Sequence, residues 1–144
     1  MKKLLIIFIL GFAIVGFLEK NPDFLQSPAN QGVANDQLIS TAYQDRQSDV
    51  QLGGEGKVIH ILPDDKQGSR HQKFILKLVS GHTLLISHNI DVAPRINSLR
   101  QGDTVEFYGE YEWSSKGGVV HWTHHDPGGR HENGWLKHKD ATYQ

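Results

Sequence analysis

The sequence predicts a mainly β fold: a small five-stranded Greek-key barrel of the OB type, with a short helix before it and a signal peptide or membrane anchor at the N-terminus. From residue 57 onward, apolar and polar residues alternate with period two, which is typical of strands with one buried face. Clusters of Gly, Pro, Asp and Ser separate these stretches, as turns require. The first twenty residues have the composition of an export signal. A small SH3-like barrel is the alternative fold, because periodicity alone does not separate the two.

The N-terminus has the pattern of a secretory signal. Two lysines precede the apolar run Leu4–Leu18. As a helix this run would span roughly 22 Å, less than a hydrocarbon core of about 30 Å. We therefore predict that residues 1–20 are a signal peptide and that the remainder is periplasmic or secreted. No strong cleavage site follows, so the alternative is an uncleaved anchor that holds the domain at the inner membrane through residues 4–18.

Two segments separate this signal from the predicted strands. Residues 21–35 are rich in Pro, Asn, Gln and Gly, which predicts a flexible tether. Asp36 is a typical helix cap, and the apolar residues from Leu38 to Tyr43 fall on one side of a helix. We therefore predict a short helix around 36–47 that lies on the domain. Gly53-Gly54 is expected to break the chain after it.

Five stretches alternate strongly enough to be strands. Gly81 favours a tight hairpin between the second and the third, and a connection containing Pro94 separates the third from the fourth. This order is expected of an OB-type barrel, so we predict that residues 36–144 are a single domain. The predicted strands are Lys57–Leu62, His71–Val79, Thr83–His88, Thr104–Trp113 and Gly118–Thr123.

The composition excludes several classes of function. Fifteen Lys and Arg oppose sixteen Asp and Glu, which gives no strong signal for binding nucleic acid. The chain has no Cys, so disulfides, thiolate metal sites, cysteine nucleophiles and a lipoprotein anchor are excluded. All nine His lie between His60 and His138, inside the predicted domain. Export argues against ATP- or NAD-dependent chemistry.

The C-terminal segment is the densest group of polar side chains. His124 and Asp126 stand two residues apart, about 6.7 Å along a strand and on one face, so both could bind one ion. His121 and His125 also share a face but need a bend, and the Pro-Gly-Gly sequence that follows could return His131 to them. A divalent metal ion, zinc or calcium, is one interpretation, and an irregular tail ordered by hydrogen bonds is the other. The candidate metal ligands are His121, His124, His125, Asp126 and His131.

Two further groups are candidate binding elements. In an OB-type barrel the loop after the first strand and the loop between the fourth and fifth frame one face. We therefore expect Asp64, Asp65, Arg70 and His71 to approach the turn Trp113–Lys116. Aromatic side chains on the last two strands would form a stacking platform if exposed and barrel core if buried. The candidate binding residues are Arg70, His71, His88, Asn89, Asp91, Arg95, Trp113 and Trp122.

Several stretches of the domain resemble one protein family. They are Arg70–Ile75, His88–Arg95, Gly102-Asp103, Gly109–Trp113 and Gly117–Pro127. These stretches are similar to the DUF3465 family of small exported bacterial proteins of unknown function. The resemblance runs from about residue 56 to 143 and implies export and these domain limits, but no activity.

A shorter stretch resembles the thermonucleases, which are exported, calcium-dependent OB-fold enzymes. Ile90–Pro94 is similar to their Ile-Asp-Ala-Pro-Glu motif, with one residue more. Where they carry a catalytic Glu this chain has Arg95, and their strand arginine has no counterpart in Leu84–Ser87. The match therefore does not imply nuclease activity.

These features favour an exported OB-type binding module, because no complete catalytic set is present. Its ligand could be a glycan, an anion, a metal ion or an envelope protein. One alternative is a metal-dependent hydrolase, such as a phosphodiesterase, built on the candidate metal ligands. Another is a structural component of an envelope assembly. The sequence leaves open whether the chain is an enzyme.

Overall fold

The computed structural model describes residues 28–144. The predicted signal segment, residues 1–20, and the first part of the predicted tether lie outside them. Within the described range, no helix is long and apolar enough to cross a membrane. The elements of this range are α1 (Pro28–Gln44), β1 (Val50–Ile61), β2 (His71–Lys77), β3 (Thr83–Asn89), β4 (Thr104–Glu112), β5 (Val119–His121), β6 (Trp135–His138) and β7 (Ala141–Tyr143).

The first five strands close a barrel. β1 pairs antiparallel with β2 through its second half and with β4 through its first half. β2 pairs with β3 and β4 with β5, again antiparallel, and a parallel contact between β3 and β5 completes the ring. The sheet thus runs β1–β2–β3–β5–β4 and returns to β1. The prediction of a mainly β fold with a five-stranded barrel and a helix before it is confirmed.

Alternate residues of each strand fill the barrel. On β4, Val105, Phe107 and Tyr111 are fully buried. Their neighbours in the sequence face outward, and among these Glu110 and Glu112 are partly exposed. The period-two pattern therefore places an apolar row inside and a polar row on the outer surface of the same strand.

β1 is longer than predicted, because Gly53-Gly54 lies within it and does not break the chain. Gly54 pairs with Phe107 across β1 and β4. A Cβ atom on Gly54 would stand 2.7 Å from Cζ of Phe107 and 3.2 Å from Cδ1 of Ile39. The glycine pair therefore reflects close approach of backbone to large apolar side chains rather than a turn.

α1 begins at Pro28, before the predicted start, so the end of the predicted tether is helical. Proline suits a first turn, where the missing N–H would have no partner in the helix. Asp36 does not cap a helix start: its carboxylate accepts the N–H of Ser80 at 3.0 Å, in the turn between β2 and β3. Ile39 is buried as predicted, whereas Leu38 is 56% exposed.

The tail was expected to be irregular, and this prediction is wrong for its last part. β6 pairs with β4, and β7 pairs with β6. Leu136 is fully buried and His138 is 2% exposed, so both inward positions of β6 belong to the interior. Lys139 and Asp140 form the turn with φ of 45° and 58°, a left-handed conformation more usual for glycine or asparagine. The alternation of β6 was not recognised because a polar residue, His138, occupies one of its two buried positions.

Candidate functional site

Side chains from three parts of the chain line one cavity of about 300 Å³. His71 at the start of β2 pairs with Asn89 at the end of β3. β5 runs parallel to β3, so the tail leaves the barrel at the same end. We name this cavity the His cleft; its lining residues are Ser69, His71, Asn89, Val92, His121, Trp122, His124, Asp126 and Pro127.

The His cleft is lined by residues of both predicted groups. His71, Asn89 and Trp122 were predicted as binding residues, and His121, His124 and Asp126 as metal ligands. The other predicted residues do not line it; they are Arg70, His88, Asp91, Arg95, Trp113, His125 and His131. The strand order brings the two groups together, because β3 and β5 end side by side.

Two imidazoles of the cleft are held by backbone carbonyls. Nδ1 of His71 is 2.8 Å from the Ser69 oxygen, and Nδ1 of His124 is 2.6 Å from the His125 oxygen. A carbonyl only accepts, so Nδ1 donates in each ring and Nε2 of the neutral ring keeps a lone pair. Among the residues that the structure describes, neither Nε2 has a hydrogen-bond partner. In the neutral form of each ring, Nε2 therefore remains available as a hydrogen-bond acceptor.

Trp122 holds a strained position in the cleft wall. Its φ of 54° lies in the left-handed region, which costs a bulky residue about 1–3 kcal/mol. The indole stacks on the ring of His131, with centroids 4.0 Å apart and 8° between the planes. The ring of His124 lies 5.4 Å away. Such strain persists only where surrounding contacts impose it, and it clusters at functional sites.

Asp126 organises the loop that follows it. Its carboxylate accepts the backbone N–H groups of Gly128, Arg130 and His131, each at 2.8 Å. These bonds, that of His131 first, hold the pKa of Asp126 below its usual value. Because three donors already occupy its oxygens, the contacts support a role in ordering the cleft rather than in holding an ion.

His88 precedes the cleft residue Asn89 and is fully buried. Its Nε2 is 2.9 Å from the Pro94 carbonyl and therefore donates, while Nδ1 accepts the hydroxyl of Thr123 at 2.8 Å. Burial lowers the pKa of His88 to about 4; the nearby rings of His124 and His71 contribute to this shift, and the hydrogen bond to Pro94 opposes it. The neutral ring thus ties β3, the β3–β4 connection and the tail together.

The two predicted arginines form ion pairs beside the cleft. Nε of Arg70 is 2.7 Å from Asp91, whose carboxylate also accepts the Arg70 backbone N–H at 2.8 Å. Arg95 binds both carboxylate oxygens of Asp64, at 2.9 and 3.1 Å. The backbone bond to Arg70, followed by its guanidinium, lowers the pKa of Asp91. These pairs fasten the β1–β2 loop to the β3–β4 connection.

The turn Trp113–Lys116 contacts α1, not the β1–β2 loop as expected. The ring of Trp113 stacks on Tyr43 with centroids 6.5 Å apart, and the guanidinium of Arg46 lies 5.1 Å from its centroid. The hydroxyl of Tyr43 donates to the Ser115 carbonyl at 3.2 Å. The expectation was wrong because the N-terminal helix covers this turn.

Another polar group adjoins the cleft on the outer face of β4 and β5; its histidines were predicted as metal ligands, whereas its two glutamates, Glu110 and Glu112, were not. Nε2 of His121 is 3.1 Å from Oε2 of Glu110 and 3.2 Å from Oε1 of Glu112. Nε2 of His131 is 3.2 Å from the other oxygen of Glu110. One ligating atom from each of Glu110, Glu112 and His121 lies within 4.8 Å of the other two, a spacing that suits a metal ion. The signal in the sequence is the Glu-x-Glu alternation of β4.

A larger surface depression, of about 500 Å³, lies beside the β6–β7 turn. Its lining includes Lys137, Lys139 and Asp140, contains no aromatic side chain, and includes none of the predicted site residues. We therefore place the candidate site in the His cleft, where aromatic and imidazole side chains converge.

The family comparison covers the whole described chain. The model of DUF3465, described as "Protein of unknown function (DUF3465)", matches residues 24–144. The chain belongs to the DUF3465 family. The match includes α1, the barrel and every residue of the His cleft, and it confirms the resemblance noted in the sequence. No curated protein matches the chain.

Proposed function

We propose that this DUF3465 protein is an exported binding module whose His cleft holds a neutral, hydroxyl-rich ligand such as one ring of a glycan. The observation that carries the proposal is the pair His71 and His124, each fixed by a backbone carbonyl with Nε2 left as an acceptor. Trp122 adds an apolar ring to the same wall. Acceptors beside an aromatic face match a sugar, which combines hydroxyl donors with apolar C–H faces.

The charge of the cleft favours a neutral ligand over an anion. Its lining residues include no Lys or Arg and one carboxylate, that of Asp126. Arg70 and Arg95, which flank the region, are already paired with carboxylates. An anionic ligand would therefore meet no free cationic side chain of the cleft wall.

The size and rigidity of the cleft support a small ligand. Its volume of about 300 Å³ lies at the lower end of the range for ligand pockets. The network of His88 and the carboxylate of Asp126 fix two of its walls before any ligand binds. A site ordered in advance loses less entropy on binding.

Loss of one acceptor is the direct test of this site. We expect H71A and H124A each to weaken binding of N-acetylglucosamine or of a neutral disaccharide that contains it about five- to tenfold, because one hydrogen bond contributes about 1–1.5 kcal/mol. Binding is measured by calorimetry on the full-length chain in mild detergent, and ligand-dependent shifts of the Trp122 indole in NMR spectra place it.

His125 provides the matched control, because it is exposed, adjacent to His124 and outside the cleft lining. H125A should bind as tightly as the wild type. Equal affinities of all three variants, or preference for phosphorylated over neutral sugars, would contradict a neutral ligand in the His cleft.

Export is the second part of the proposal, and the N-terminal sequence supports it. The two initial lysines and the apolar run 4–18 predict that the domain crosses the inner membrane. In spheroplasts, protease should digest a C-terminally tagged chain while a cytoplasmic marker survives. Replacing three leucines of the run by Asp should abolish this accessibility, and protection of the wild-type chain would refute export.

A further inference from the structure

We propose that Glu110, Glu112 and His121 bind one zinc ion on the outer face of β4 and β5, beside the His cleft. The three ligands come from two paired strands of the barrel, so the backbone fixes where each of them starts. The proposal goes beyond glycan binding and does not depend on it. His121 is the residue that the two sites share.

Strand geometry brings the three side chains together. Residues two apart on a strand share a face, which places Glu110 and Glu112 side by side on β4. His121 on β5 is the register partner of Glu110. Opposite side chains of paired strands start about 5 Å apart, so all three reach a common point above the sheet.

The distances between these atoms fit a tetrahedral ion. Nε2 of His121 stands 3.1 Å from Oε2 of Glu110 and 3.2 Å from Oε1 of Glu112. Zinc bonds of about 2.0–2.1 Å in a tetrahedron hold neighbouring ligand atoms ~3.3 Å apart. The two separations from His121 match the edges of such a tetrahedron, and the ligating oxygens of Glu110 and Glu112 lie within 4.8 Å of each other.

Hydrogen bonding does not explain this arrangement. Within the part of the chain that the structure describes, the buried Nε2 of His121 has no hydrogen-bond partner, although two carboxylate oxygens are near. In an ordinary ion pair the N–H would point at one of these oxygens. The nitrogen lies 3.1 and 3.2 Å from two carboxylate oxygens and is aligned for a hydrogen bond to neither, which leaves room for a cation between the three atoms.

A second buried atom without a hydrogen-bond partner among the described residues is Nε2 of Gln51, on the strand that pairs with β4 on its other side. Gln51 on β1 is the register partner of Glu110 on the opposite side from His121. Buried polar groups are nearly always satisfied. An amide N–H donates, so it would be satisfied by an acceptor such as a water molecule bound to the ion, and not by the ion itself.

His131 acts as a positioning residue for Glu110. Its Nδ1 donates to the Glu132 carbonyl at 2.8 Å, and its Nε2 lies 3.2 Å from the Glu110 oxygen that does not face His121. Ligating carboxylates are usually oriented by such an outer hydrogen bond. Because His131 also stacks on Trp122, it connects the proposed ion site with the wall of the His cleft.

The ligand set selects zinc over calcium and magnesium. One imidazole and two carboxylates form the mixed nitrogen and oxygen set that zinc accepts, whereas calcium and magnesium prefer six or more oxygen ligands. Three protein ligands also leave one position of a tetrahedron open to water or to a bound molecule.

The test is zinc titration of the EDTA-treated, dialysed full-length protein in mild detergent, followed by calorimetry. We expect one zinc ion per chain and at least tenfold weaker binding by E112Q, whose side chain is 47% exposed and therefore tolerates replacement. Cobalt(II) should give the intense visible bands of a tetrahedral complex with the wild type and lose them with E112Q.

Matched controls separate this site from other histidines. E106Q alters another outward carboxylate of β4 and should bind zinc as the wild type does, while H131Q should weaken binding several-fold without changing the stoichiometry. H71A, which tests glycan binding, should keep full zinc affinity. A failure of the glycan proposal can therefore be distinguished from a failure of the zinc proposal. Absence of saturable zinc binding, wild-type affinity of E112Q, or equal affinity for calcium would overturn the proposal.

Discussion

Acidification from pH 7.5 to pH 4 is expected to lower the free energy of unfolding by about 3 kcal/mol through His88 alone. The pKa of His88 falls from 6.5 to about 4 on folding, chiefly because the ring is buried. The unfolded chain therefore takes up this proton first as the pH falls. The stabilisation is complete above about pH 6.5 and is lost progressively towards pH 4. Urea unfolding at a series of pH values measures it.

The difference between the wild type and H88Q isolates this contribution from that of the carboxylates. Glutamine can still donate to the Pro94 carbonyl and accept from Thr123, but it does not titrate. H88Q should be less stable than the wild type at pH 7.5 and should lose about 3 kcal/mol less on acidification. H60Q removes an exposed imidazole and should follow the wild-type curve. Parallel curves for the wild type and H88Q would disprove the assignment.

Alternation along the strands made the barrel predictable. His71–Lys77 and Thr104–Glu112 were found within three residues of their predicted limits, because each has one face in the core and one in water. Gly53-Gly54 misled the prediction, since a glycine pair signals a turn and a close packing contact equally well. The contact that distinguishes the two interpretations is with Phe107. This residue is distant from Gly54 in the sequence and contacts it only in the folded barrel.

Six of the candidate residues line the His cleft, but the sequence did not predict what each of them contacts. Residue types alone selected His71, His124 and Asp126, and the strand order brings them to one cleft. The roles depend on which atoms their partners occupy: carbonyls hold the Nδ1 atoms of the two imidazoles, whereas backbone donors fill the carboxylate of Asp126. No sequence pattern encodes these partners, since they arise from the turn that the loop adopts.

Glu110 and Glu112 escaped prediction for a related reason. On an outward strand face, acidic residues are ordinarily solvated, so the alternation Glu-x-Glu carries little information by itself. Its meaning comes from β5, which places His121 opposite Glu110. The two glutamates lie on β4, outside the His-rich segment, so the composition of that segment does not indicate them.

Replacement of Gly134 by Ala is expected to destabilise the protein by about 3 kcal/mol and to lower Tm by roughly 10 °C. A Cβ atom there would lie 2.0 Å from the Trp122 carbonyl oxygen and 2.5 Å from that of Tyr108. Both are backbone atoms, so no side-chain rotation relieves the clash. The N–H of Gly134 also donates to the His124 carbonyl at 2.9 Å, which joins this position to the His cleft.

G128A is the matched control, because it adds the same methyl group to the same tail. Its nearest contact would be 3.3 Å from a side-chain oxygen of Asp126, so we expect a loss of less than about 1 kcal/mol. In G134A the tail must move away from β4, and with it the residues that form one wall of the cleft. The near-ultraviolet circular dichroism, to which Trp122 contributes, should therefore weaken more than the far-ultraviolet signal of the barrel. Equal thermal stability of G134A and G128A would show that the tail does not dock as described.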